Sequence, residues 1–131
     1  MTFLHNDQVG KLLLRLTLGL LMLPHGIAKL VGGVGGIQGM LAGAGLPEIL
    51  AFGVYIGEIV APLMIIVGWY CGIGALLIVV NMIFAIFLAH SHEVLALTEH
   101  GGWAIELQAF FLLTALVLMF TGPGRISLNN R

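Results

Sequence analysis

The segment GIGALLIVVNMIFAIFLAH, residues 72–90, is apolar from end to end except for Asn81 and the closing His90. It shows no alternation of polar and apolar residues. Membrane-barrel strands alternate over about ten residues, whereas a helix crossing the hydrocarbon layer needs about 20 consecutive apolar residues. The segment therefore predicts a membrane-spanning helix.

Working outward, the same pattern recurs on both sides. A run over 9–31 is broken, beyond Lys11 at its start, only by Arg15, His25 and Lys29, and one over 47–68 only by Glu48 and Glu58. A fourth covers 103–121, with Glu106 and Gln108 near its start. The first run is too long for a signal peptide's apolar core and has an arginine inside it. Asn6-Asp7 reads as its N-cap, and Pro47 suits the first turn of the second helix. The stretch Gly32–Gly36 followed by Ile37–Gly45 is glycine-rich and reads as a loop with one interfacial turn. Gly68-Trp69-Tyr70-Cys71-Gly72 reads as a tight turn with interfacial aromatics, and Gly122-Pro123-Gly124 ends the last helix.

Composition agrees. Of 131 residues, 60% are hydrophobic and only 8% charged, against roughly 25% charged in soluble domains, and mean hydropathy is +1.10. The expected fold is an all-α membrane protein, a single domain over 1–131 forming a four-transmembrane-helix bundle. Lys11, Arg15, Arg125 and Arg131 lie with the termini and Lys29 alone lies toward the other face, which predicts cytoplasmic N- and C-termini. A net charge of −1 with five Lys and Arg offers no basic stripe for phosphates, so nucleic acid is excluded as a partner. The lipid bilayer is the expected surrounding, with a protein partner or a second copy beside it. One cysteine, Cys71, cannot form an internal disulfide, so any redox role needs a bound cofactor or a partner.

Polar residues within spans are costly and mark pairing or function. At about 1.5 Å per residue, His25, Lys29, Glu48, Glu106 and the 90–102 connection belong to the half away from the termini. Glu58 and Asn81 lie near mid-membrane and Arg15 in the half near the termini. On the first helix Arg15, His25 and Lys29 fall within an arc of roughly 80°. Arg15 and Glu58 are expected to pair or share a network, either to fix helix register or to hold a proton-exchanging carboxylate. His25 suits a hydrogen bond to a quinone carbonyl or headgroup, and equally a helix-packing contact. Asn81 and His92 lie about 20° apart on the third helix, with His90 opposite. His90, His92 and His100 have ligand chemistry for metal or haem, but their spacing is a weak motif and fits wetted interfacial histidines as well. Gly53-x-x-x-Gly57 permits close helix packing inside the bundle.

The ordered set Arg15-Leu-x-Leu-Gly19, His25-Gly26-x-x-Lys29-Leu30, Gly45-Leu46-Pro47, Gly57-Glu58-Ile59 and Gly122-Pro123-Gly124-x-x-Ser127-Leu128 resembles the DoxX family. The resemblance implies a multi-pass protein of the bacterial inner membrane. The family takes its name from the small membrane subunit of a thiosulfate:quinone oxidoreductase, other members are associated with thiol-stress and detoxification complexes, and more distant relatives act in assembly. Two functional classes follow. The first is a membrane subunit of, or accessory to, a quinone-linked or thiol/sulfur-related oxidoreductase system. There Glu58 and His25 would move protons, while Arg15, Lys29, Asn81 and His92 would bind a quinone. The second is a non-enzymatic scaffold or assembly factor. Four short helices with no detectable inverted repeat argue against a transporter.

Overall fold

The computed structural model describes residues 6–89 and 95–128; the regular structure among them is helical, joined by turns, with one isolated antiparallel bridge between Leu97 and Trp103. Helix α1 spans Asp7–Gly32. The Asn6 side chain accepts from the N–H groups of Gln8 and Val9 at 3.1 and 3.2 Å, the expected cap. At the other end the Gly33 N–H reaches the Lys29 carbonyl, with Gly33 at φ +83°.

Instead of the expected loop, Gly35–Gly43 forms a short helix, α2. Its three large apolar residues, Ile37, Met40 and Leu41, explain the difference. Leu41 is buried with Val34 and Ala51 in a small apolar cluster, against which Ile37, Leu46, Val54, Tyr55 and Leu88 pack. Tertiary burial overrides the poor helix propensity of glycine.

Helix α3, Glu48–Val67, changes pitch along its length. It opens as a 3₁₀ turn over Glu48–Phe52, preceded by Pro47 in an extended conformation, so the proline stands just outside the helix and not at its first turn. It then widens into a π turn over Ile56–Val60, whose Ala61 N–H reaches back to the Ile56 carbonyl. Pro62 supplies the reason: it has no N–H to close the regular bond on the carbonyl four residues back, that of Glu58. The helix ends at Gly68, left-handed at φ +75°. Helix α4 spans Cys71–Ala89. Helix α5 spans Glu106–Thr121 and begins three residues later than the apolar run suggests, because Trp103 is held in the bridge to Leu97.

The four long helices form a ring in which α1 packs on α3 and α5, α3 on α4, and α4 on α5. Close approach rests on glycine. A Cβ on Gly19 would strike Ile66, and one on Gly26 would strike the Glu58 carbonyl; on Gly57 it would lie 2.5 Å from Asn81 Cβ. Gly57 thus has the internal packing role expected of it, whereas Gly53 has nothing within 4 Å of a built Cβ. Leu13, Leu20, Ile27, Phe110, Leu113 and Phe120 stay exposed on the outside, as an acyl-chain environment requires. Helices α1, α3 and α4 are long and apolar enough to cross a membrane, and α5 is a shorter apolar helix.

Candidate functional site

The main core, built around Leu18, Met22, Ile65, Ile78 and Leu118, and the small cluster under α2 are separate. Between them lies a cavity of about 460 Å³, bounded by side chains of all five helices. This is within the usual range for small-molecule sites, about 300–1,000 Å³. Most of the wall is apolar: Met22, Leu77 and Phe111 on one side, Ile37, Leu41 and Leu88 on the other. The polar exceptions are His25, Lys29, Glu58, Asn81 and Gln108.

Glu58 is the centre of this group. It is 2% exposed and sits within the π turn of α3. Its two carboxylate oxygens are shared between neighbours: Lys29 Nζ from α1 donates to Oε1 at 2.5 Å, and Asn81 Nδ2 from α4 donates to Oε2 at 2.9 Å. Gly26 and Gly57 let α1 and α4 come close enough for both contacts. The chain end that carries Lys29 is tied down separately, since the Tyr55 hydroxyl donates to the Lys29 carbonyl at 3.1 Å. The Lys29 side chain remains 34% exposed, and an ammonium has three donors. One is spent on Glu58, and Lys29 also borders the cavity.

His25 lies one turn of α1 before Lys29, with its ring edge-on to Phe111 at 5.6 Å between centroids. It borders the same cavity. Of the residues singled out in the sequence, the structure brings His25, Lys29, Glu58 and Asn81 to the wall of one cavity.

Arg15 is elsewhere, and the expected pairing with Glu58 does not form. Among the described residues its guanidinium donates only to main-chain oxygens: Nε to Ile65 at 2.8 Å, Nη2 to Ile66 at 3.0 Å, and Nη1 to Pro123 at 2.9 Å and Ile126 at 2.5 Å. The physical reason is competition at both ends. The carbonyls of Ile65 and Ile66 lie in the last turn of α3, where the helix has no N–H left for them. Glu58, meanwhile, has a nearer cation in Lys29. Arg15 therefore binds the C-terminal strap to the bundle, reinforced where the Leu128 N–H meets the Val67 carbonyl at 3.0 Å. Gly68 passes so close to Ser127 that a Cβ would collide with it.

His90 and His92 lie outside the described residues. His100 is exposed in the turn closed by the Gly101 N–H on the Thr98 carbonyl. Among the described residues no three His, Cys, Asp or Glu side chains gather to hold a metal.

Tyr55 and Phe111 escaped sequence reasoning because aromatic residues in apolar runs carry no distinguishing mark. The π turn was readable: a proline four residues after a buried carboxylate leaves that residue's carbonyl without its helical donor.

The family model for DoxX matches residues 10–91. The chain belongs to the DoxX family. The matched stretch holds Arg15 and, from the cavity wall, His25, Lys29, Glu58 and Asn81, while α5 with Gln108 and the Gly122–Leu128 strap lie beyond it. No curated protein and no solved structure matches the chain. For this DoxX protein, the placement of polar groups around the cavity therefore carries the functional reading.

Proposed function

We propose that this protein is a small multi-pass subunit of, or accessory to, a quinone-linked or thiol/sulfur-related oxidoreductase system, and that its cavity holds a quinone. The bundle crosses the bacterial inner membrane four times with its termini in the cytoplasm. The observation that carries the reading is the Lys29–Glu58–Asn81 network on the wall of an otherwise apolar cavity. A quinone has the matching shape: an apolar ring and tail with acceptor oxygens at the ring edge.

Both Glu58 oxygens already have donors, so the groups left for a ligand are N–H donors on Lys29 and His25. They would bind a quinone carbonyl and stabilise charge that develops on it during reduction. Glu58, hydrogen-bonded to Lys29, is placed to accept or return a proton through that amine. Electrons would come from a protein partner, and His25 is open to the cavity as the second proton-exchanging group.

Purified protein in lipid nanodiscs, titrated with decylubiquinone, tests this. Saturable quenching of tryptophan fluorescence and a rise in melting temperature with quinone concentration are expected; absence of both would remove the reading. A scaffold role is favoured by a different observation, the Arg15 lock, in which a buried charge serves the fold alone. In a scaffold, Lys29 and Glu58 substitutions would lower partner recovery and stability together and remove no separable activity.

A further inference from the structure

Glycine plays two different parts in this chain. In the bundle, glycines 19, 26, 57 and 74 stand where a Cβ would crowd a neighbouring helix. In α2, Gly35, Gly36, Gly39 and Gly43 make up four of nine residues, and a Cβ on any of them would meet nothing within 4 Å. Packing does not require glycine there. Its effect is to weaken the helix, since each glycine disfavours the helical state relative to alanine.

Three further observations concern the same element. No side chain caps the α2 N-terminus. The segment is flanked by Gly33 at φ +83° and Gly45 at φ +75°, conformations that glycine adopts without strain. Its main neighbours are the 3₁₀ turn of α3 and the end of α4, so it is held by the small apolar cluster and not by the main core. Ile37, Met40 and Leu41 from this weak helix form part of the cavity wall, at the end of the bundle opposite the chain termini.

We propose that α2 is a lid, and that its opening admits a lipophile with an acceptor oxygen to the Lys29–Glu58 group from the membrane interface. This rests on the reading of the cavity as a ligand site. Opening breaks the small cluster of Val34, Leu41 and Ala51 and leaves the main core intact, so it is a local event and not global unfolding. The lipophile's polar end then meets Lys29, which lies in the last turn of α1 just before Gly33.

The double substitution Gly36→Ala/Gly39→Ala tests the lid without disturbing the site, because both positions are exposed and open. Hydrogen exchange of the protein in nanodiscs should show α2 amides exchanging far faster than those of α4. The double variant should slow α2 exchange roughly tenfold, from two glycine-to-alanine steps in helix propensity. Stopped-flow quenching by decylubiquinone should then show association and dissociation slowed by a similar factor, with a smaller change in Kd. Equal protection of α2 and α4 in the wild type would overturn the lid. So would slowed α2 exchange with unchanged quinone rates, which would place access along the face of α3 and α4 where Ile56, Val80 and Phe84 are exposed. If decylubiquinone fails to bind the wild type at all, the quinone reading falls, and the exchange data alone still decide whether α2 opens.

Discussion

Arg15 and Glu58 are each 2% exposed, yet Arg15 is surrounded by main-chain carbonyls and Glu58 by side chains. At the end of the bundle near the termini, four carbonyls receive the guanidinium, and it does not border the cavity. At the Glu58 end, the ion pair is partly exposed and borders about 460 Å³ of cavity. A buried charge satisfied by backbone is a clasp: it fixes where a helix ends and where a strap lies. A buried charge satisfied by side chains beside a cavity can exchange partners. Burial alone does not separate structure from function in a membrane bundle; the identity of the partner does.

The comparison predicts a graded series. Arg15→Met leaves several carbonyls without donors and should cost most, on the order of 4 kcal/mol, read as loss of folded protein or a steep fall in melting temperature. Arg15→Lys should recover only part of this, because one ammonium cannot reproduce the guanidinium fork. If Arg15→Met leaves stability unchanged but abolishes quinone binding, the division between the two ends is wrong.

Lys29→Met should come next, at about 3 kcal/mol, since it strands the buried Glu58 carboxylate. Adding Glu58→Gln should restore much of that loss, because the glutamine carbonyl still accepts from Asn81 and no charge is left alone. Additive losses in the double variant would mean that the two side chains are not coupled.

Gly26→Ala is expected to cost about 2 kcal/mol by overpacking, as the new methyl meets the Glu58 carbonyl. Because it separates α1 from α3 at the ion pair, it should weaken quinone binding as well. Gly36→Ala, in open space on α2, should be neutral or slightly stabilising in the same unfolding experiment. Equal effects at the two glycines would contradict the two roles assigned to them.

The fold was largely legible in the sequence because lipid imposes a simple demand: every spanning backbone must satisfy its own hydrogen bonds, so long apolar runs read directly as helices. Depth along a helix follows from residue count, so the nearness of His25, Lys29, Glu58 and Asn81 to one another could be read, although the same reading grouped Arg15 with them. Two things were not. Helix α2 depends on three apolar residues finding a distant partner cluster, which no local pattern reveals. The partner of Arg15 was misread because depth arithmetic counts side chains and overlooks main-chain carbonyls, whose supply at a helix end is invisible in the residue types. Pro62 shows that some of this can be recovered, because a missing N–H at a known position identifies the carbonyl left over.

The most direct test of the central claim is the Kd for decylubiquinone in nanodiscs of the Lys29→Met/Glu58→Gln double variant, compared with wild type after unfolding has verified that the variant is folded. Binding weakened at least about tenfold, the equivalent of one lost charge-assisted hydrogen bond, is the predicted result. An unchanged Kd in the folded double variant would mean that the polar wall of the cavity does not recognise the ligand, and the account would be wrong.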